Sequence, residues 1–386
     1  MLNQEDPRTI AVTNGIGDDT AFGAVAPPLY LSTSFTFAGF EKSRGYDYSR
    51  TANPTRDLLG DTLAKLESGA GAVVTSSGMA AIDLVLATLT ATDLVIAPHD
   101  CYGGTYRLLA ARAAKGQFKL MFIDQNDDAQ IAEALKAAPT LILIETPSNP
   151  LMRIVDIRAI SGLAKAAGAK VAVDNTFLSP ALQQPIALGA DFVIHSTTKY
   201  LNGHSDVVGG AVIAADRKDV DALAAWANIT GVTGSPFDAY LTLRGVRSLF
   251  PRIERQQQTA AAIAAFLHQH KAVSAVYYPG LRSHPGYEIA KRQQSGFGAM
   301  LSFEIAGGVK AVRNFVETVS VFTLAESLGG VESLVAHPAT MTHAGMSPEA
   351  RHMAGIKDTL LRLSVGLESE ADLLGDIAKG LDAPDR

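Results

Sequence analysis

From about residue 61 the chain alternates short, wholly apolar runs with longer alanine-rich stretches. Asp61–Leu66 opens a helix-like stretch, Ala72–Thr75 reads as a buried strand, and Met79–Leu89 is apolar and of helical length. Further strand-like runs fall at Leu94–Ala97, Leu141–Ile144, Val171–Val173 and Phe192–Ile194. Between them lie helix-length stretches at Tyr106–Ala114, Ala129–Ala137 and Ile157–Ala167. Strands apolar on both faces, alternating with helices, imply an α/β fold with a mainly parallel sheet covered by helices. Such sheets bind ligands at the carboxyl ends of their strands. Asn149, Asp174, Ser196 and Lys199 all follow such ends.

The pattern differs on either side of this region. Residues 1–60 are irregular, punctuated by Pro27–Pro28, Gly45 and Asn53–Pro54. Tyr30, Phe35, Phe37, Phe40, Tyr46 and Tyr48 bring aromatic surface without a helical or strand period. The segment reads either as a loop layer on its own domain or as an arm reaching a second subunit. After about residue 250, Arg252–Gln269 reads as one long helix. Ala299–Glu304, Ser320–Phe322 and Leu361–Val365 look like strands, with helices at Val309–Val316 and Glu370–Leu381. This is the pattern of a smaller α+β domain. The division expected is 1–60, 61–253 and 254–386.

Composition narrows the function. At 386 residues and 47% hydrophobic, the chain can bury a large core, and its length suits roughly two or three domains. No apolar run approaches the ~20 residues of a membrane-spanning helix. No secretory signal is visible in MLNQEDPRTIAV. The net charge is −6 with Lys and Arg scattered, which argues against nucleic acid as a partner. The single cysteine, Cys101, rules out an internal disulfide and suits a cytoplasmic location. No Cys/His cluster has zinc spacing, so no metal is expected. G-x-G-x-x-G, Walker-type and G-x-S-x-G patterns are absent, which disfavours nicotinamide dehydrogenases, P-loop enzymes and serine hydrolases.

The candidate chemistry begins with Asp174 and Lys199, an acid and an amine at the ends of two apolar runs. An aldehyde cofactor with a basic ring requires this pair: the lysine forms a Schiff base and the acid keeps the ring nitrogen protonated. The alternative is a surface lysine beside a strand-end aspartate. Ser76-Ser77-Gly78-Met79-Ala80 joins a strand to a helix, where free amides and a glycine suit a phosphate. A plain strand–helix turn would look the same. Ser196, Thr198 and Arg50 are further phosphate donors. Tyr102, on a glycine loop at a strand end, can lie over a flat ring or serve as an acid or base; a simple turn tyrosine is the alternative. Arg362, inside Leu361–Val365, needs a carboxylate if it is buried in a strand. That partner is either internal or the α-carboxylate of an amino-acid substrate, bound bidentately.

Nearly the whole chain, from about Thr9 to the final helix, carries an ordered series of signatures: YDYSRTANPTRD, SSGMAA, APHDCYGGTYRL, ETPSNP, AVDNTFLSP, HSTTKYLNGHSD, LAESLGGVESL, MTHAGM and TLLRLSVGLE. These resemble the Cys/Met-metabolism family of pyridoxal-phosphate enzymes. The resemblance implies the fold-type I, aspartate-aminotransferase-like architecture, with a seven-stranded sheet and a smaller α+β C-terminal domain. It implies a cytoplasmic homotetramer, a dimer of dimers with shared active sites, and it favours the arm over the loop layer for residues 1–60. The cofactor implied is pyridoxal 5′-phosphate. Lys199 becomes the Schiff-base lysine, Asp174 the partner of the ring nitrogen, and Tyr102 the stacking and proton-accepting residue. Gly78, Met79, Ser196 and Thr198 would hold the phosphate, with Tyr48 and Arg50 reaching it from the neighbouring subunit. Arg362, Ser327 and Asn149 would bind the substrate carboxylate. Glu326 and Asn228 would line the distal pocket, with Arg107 and Asp47 nearby. The reaction implied is γ-replacement on an O-acyl-homoserine, the succinyl ester foremost, by cysteine to give cystathionine. γ-Elimination and direct sulfhydrylation are the alternatives within the family. Glu326 points to γ-chemistry. Thr51 departs from the second arginine that some enzymes taking succinylated donors carry after Ser-Arg.

Overall fold

The computed structural model describes residues 5–346, 349, 351 and 354–383. The outermost residues of the expected arm and C-terminal domain, 1–4 and 384–386, lie outside them. The large sheet comprises β1 (Gly71–Thr75), β2 (Leu94–Pro98), β3 (Lys119–Ile123), β4 (Leu141–Glu145), β5 (Lys170–Asp174), β6 (Phe192–His195) and β7 (Gly210–Ala214). Their order is β1-β7-β6-β5-β4-β2-β3. Only β7 runs against its neighbours, β1 and β6; the other pairings are parallel. Successive residues of each strand enter opposite cores. Val95, Leu143, Ala172 and Ile194 pack on one face, while Ile96, Ile142, Val171 and Val173 pack on the other. Burial on both faces is why these strands read as unbroken apolar runs rather than alternating ones.

A second sheet contains β8 (Val273–Tyr277), β9 (Met300–Ile305), β10 (Thr323–Leu324), β11 (Leu334–Ala336) and β12 (Leu360–Ser364), in the order β10-β11-β12-β9-β8. It is antiparallel except for β10 with β11. The helix Leu249–Gln269 runs between the two layers. Its buried Ile253, Ile263 and Leu267 share one core with Leu301, Phe303 and Leu363 of the second sheet and with Val193 and Ile213 of the first.

Local chemistry moves some predicted boundaries. The helix expected from Asp61 begins at Pro54. Asn53 caps it, accepting from the amides of Thr55 and Arg56, and Pro54 takes the first helical position, where its missing N–H is harmless. The Asn-Pro pair is therefore a helix start as well as a turn signal. Ser320–Phe322 is not a strand. The amides of Ser320, Val321 and Phe322 all donate to the Asp376 carboxylate, which takes the donors a strand ladder would use, and β10 starts just beyond. Strands β3, β7, β8 and β11 are not among those expected from the sequence, although residues 120–123 in β3 and 211–214 in β7 are unbroken apolar runs as long as those that are.

Candidate active site

A cavity of about 320 Å3 opens where the carboxyl ends of the first sheet meet the second. Strand ends and the turns that follow them bring in Gly78, Tyr102, Glu145, Asn149, Asp174, Ser196 and Lys199. Strand β12 supplies Arg362, and the β10–β11 loop supplies Glu326 and Ser327. Residues scattered over nearly 300 positions thus converge on a volume suited to a small ligand.

One wall is built to admit an anion. Ser77 caps the helix Gly78–Leu86, its hydroxyl accepting from the Ala80 amide. The helix start directs free amides toward the cavity rim. A side chain at Gly78 would meet Ser196 Cβ at 2.7 Å, so only glycine lets these two turns lie together. Ser196 Oγ lies alongside. The Thr198 hydroxyl is already engaged with the Gly209 backbone, donating to its carbonyl at 3.2 Å and accepting from its amide at 3.0 Å.

Asp174 and Lys199 face the same cavity. Thr176 fixes the first of them: its amide donates to Asp174 Oδ1 at 3.0 Å, while its hydroxyl accepts from the Ser196 amide at 2.9 Å. Burial raises the Asp174 pKa, against the hydrogen bonds from Thr176 and the nearby His195. Lys199 Nζ donates to Ser327 Oγ at 2.9 Å. Burial and the positive Arg362 lower its pKa to about 8, with Glu326 opposing. Both shifts disfavour the charged forms, and a protonated ring nitrogen at Asp174 and a carbonyl at Lys199 would relieve them.

Ser327 holds a left-handed backbone, φ 97°. This unfavourable conformation lets one residue serve two neighbours. Its hydroxyl meets Lys199, and its carbonyl accepts from Arg362 Nη2 at 2.8 Å. Gly329 seats the same loop. Its φ is 78°, and a Cβ there would stand 2.8 Å from the Tyr200 amide.

Arg362 is 2% exposed. Nη1 donates to Asn149 Oδ1 at 2.9 Å, both of its acceptors are neutral, and Nε has no partner. Burial pulls its pKa down to about 10. A buried guanidinium with neutral partners and an orphaned donor calls for an anion. The sequence left open whether that anion is internal; here Arg362 lines the cavity, where a ligand's carboxylate can approach it.

Tyr102 caps the helix Gly103–Ala114, keeps an exposed ring, and lines the cavity. Five sequence candidates lie outside the lining. Arg50 donates from Nη1 to the Asn228 carbonyl at 2.9 Å and stacks over Tyr48. Asp47 and Arg107 are exposed. Sequence reasoning missed Glu145, Thr176, Val208 and Thr342 in the lining, and named Ser77 only as part of the phosphate turn. Glu145 was findable, since it ends the Leu141–Ile144 run within ETPSNP.

The sheet topology and this group of residues define a fold-type I pyridoxal-phosphate enzyme. The chain belongs to the Cys/Met metabolism PLP-dependent enzyme family, whose model matches residues 8–382. It is 55% identical to the cystathionine gamma-synthase of Escherichia coli (strain K12) over 98% of both chains. Two crystal structures of cystathionine gamma synthase from Xanthomonas oryzae pv. oryzae are 58% identical and superpose with a TM-score of 0.97, covering 98% of each chain. One holds aminoacrylate and cysteine, the other cystathionine. A cystathionine beta-lyase from Lactococcus lactis subsp. cremoris (strain MG1363) is 47% identical over 97% of this chain and 98% of its own.

Proposed function

We propose that this chain catalyses γ-replacement: cysteine sulfur displaces the acyloxy group of an O-acyl-homoserine, the succinyl ester foremost, giving cystathionine. The observation that carries the reading is the position of Lys199 between opposite charges. It feels both Arg362 and Glu326 across one cavity. An amino acid anchored by its carboxylate at Arg362 extends its side chain past the Lys199 amine toward an acid.

Pyridoxal phosphate, when bound, draws electrons from the α-carbon of an attached amino acid. The chain's own residues do the rest. Gly78, Met79, Ser196 and Thr198 would hold the phosphate, with Ser77 beside them and the Thr198 hydroxyl first released from Gly209, and Asp174 would keep the ring nitrogen protonated. Tyr102 covers the ring and accepts a proton from the incoming amine. Lys199, partly neutral near pH 8, attaches the cofactor. Its amine, held at the cavity by Ser327, would be the group that carries protons between the α- and β-carbons of the substrate. Arg362, Ser327 and Asn149 orient the α-carboxylate. Glu326 attracts the ammonium of the second amino acid, with Asn228, Arg107 and Asp47 at the distal side.

Incubation with O-succinylhomoserine and cysteine is expected to yield cystathionine faster than cystathionine alone yields 2-oxobutanoate. The reverse ratio would make the chain a γ-lyase, a reading that Thr51 keeps in play. Replacing cysteine by sulfide tests sulfhydrylation in the same assay.

The proposal includes a homotetramer working in the cytoplasm, with residues 1–60 as an arm, 61–253 as the cofactor domain and 254–386 as the C-terminal domain. Phe22 and Phe40 are over 90% exposed, and Leu31, Phe37 and Ile229 are also open. Val208, in the cavity lining, is 66% exposed as well. Such surface marks an interface, and it favours Tyr48 and Arg50 reaching a neighbour's phosphate. Among the described residues no helix is long and apolar enough to cross a membrane. Arg50→Ala is expected to weaken cofactor retention. Mixed with Lys199→Ala after dissociation and reassociation, it is expected to regain activity in hybrid sites. Absence of complementation would count against the shared site.

A further inference from the structure

Glu145 is a buried carboxylate whose function neither the cofactor nor the substrate reading supplies. It ends β4 and stands in direct register with Asp174 at the end of β5. Oε2 accepts from the Tyr102 amide at 2.8 Å, and Oε1 accepts from the Asn149 amide at 3.2 Å. It is 8% exposed and lines the cavity. Tyr102 and Asn149 follow different strands, and this side chain joins them through their backbone amides.

Asn149 is held on every side but one. Its amide goes to Glu145, its carbonyl meets His343 Nε2 at 3.2 Å, and its Oδ1 accepts from Arg362. Because Oδ1 is committed to a donor, Nδ2 is the end left to serve a ligand. Burial keeps His343 neutral, with a pKa of about 4, so this bracing holds through physiological pH.

We infer that Glu145 is a positioning residue: by accepting both amides, it sets the Tyr102 ring and the Asn149 side-chain amide at a fixed spacing against the cofactor ring. The inference rests on the pyridoxal-phosphate reading of the cavity. Burial, reinforced by the charge of Asp174, pushes the Glu145 pKa up, while the Tyr102 and Asn149 amides that donate to its two oxygens oppose the shift and favour the carboxylate. The two acids differ in position: Asp174 is placed to meet the ring nitrogen, whereas both Glu145 oxygens are taken by backbone amides. A glutamine at position 145 offers one acceptor oxygen and turns an NH2 toward the second amide, so one of the two walls is released.

The test compares wild type, Glu145→Gln and Glu145→Asp by three readouts: cofactor titration of the apoenzyme, circular dichroism in the visible band of the bound cofactor, and kcat against KM. Glu145→Gln is expected to keep the visible band, lose at least half its dichroic intensity, and bind the cofactor about tenfold more weakly. Glu145→Asp, with two acceptors on a shorter arm, is expected to fall between Gln and wild type. A residue needed only for folding would lower the apoenzyme melting temperature and leave the dichroism of the folded fraction unchanged. That result would overturn the inference, as would wild-type dichroism and affinity in Glu145→Gln. If Glu145→Gln does not fold, the comparison of Glu145→Asp with wild type decides by the same criteria. A wild-type chain that forms no visible band would overturn the cofactor reading and this inference with it. A normal wild-type band beside an unaltered variant overturns this inference alone.

Discussion

Lys199→Ala is expected to abolish covalent retention of pyridoxal phosphate and to cut turnover by at least about 10²–10⁴-fold, the range a positioned proton-transfer group supplies. The expectation rests on where the amine sits. Lys199 is the lysine of the cavity lining, held by Ser327 and flanked by Arg362. A free lysine has roughly a few amines in ten thousand neutral at pH 7. With its pKa lowered to about 8, Lys199 has roughly one in ten. Burial thus supplies the nucleophile at neutral pH. The sign is explicit: the neutral form grows as pH rises, so cofactor capture by the wild-type apoenzyme is expected to accelerate through about pH 8 and level off above it. Borohydride trapping and peptide mapping should find the adduct on Lys199. Full activity in the alanine variant, or an adduct on another lysine, would refute the assignment.

Arg362→Ala is expected to raise KM for the amino-acid substrate by about 10- to 150-fold while sparing the visible cofactor band. Hydrogen bonds to charged groups contribute about 1.5–3 kcal/mol, and each 1.4 kcal/mol is about tenfold. The larger figure applies if the whole fork is used, since Nη1 and Nη2 already bind Asn149 and Ser327 and Nε is the donor without a partner. Truncation strands no buried anion, because both present acceptors are neutral, so the fold is expected to survive. Arg362→Lys should recover little, since an ammonium cannot reproduce the planar fork. Unchanged KM in both variants would remove Arg362 from carboxylate binding.

The same residues separate what could be read early from what could not. Asp174 was legible because it ends an unbroken apolar run, and Lys199 because it lies in the short polar turn that follows another; parallel strands buried on both faces put such ends on one edge. Tyr102 and Gly78 follow the same logic. Glu145 satisfies it too, but no local signal distinguishes an acid that serves the backbone from one that serves a ligand. Ser320–Phe322 was misjudged because the carboxylate that takes its amides lies more than fifty residues away, on the final helix.

The sequence by itself determined the alternation of strands and helices, the strand-end chemistry and the family. These depend on local periodicity, on turn residues, and on motifs whose order the chain preserves. Only the tertiary structure decided that the hydrogen-bond acceptors of Arg362 among the described residues are neutral, that Ser327 ties it to Lys199, and that Glu145 fastens Tyr102 to Asn149. It also left Arg50 and Tyr48 outside the single-chain cavity. Burial, the pairing of distant polar groups and the resulting shifts in charge are properties of three-dimensional neighbours, and linear spacing carries no record of them.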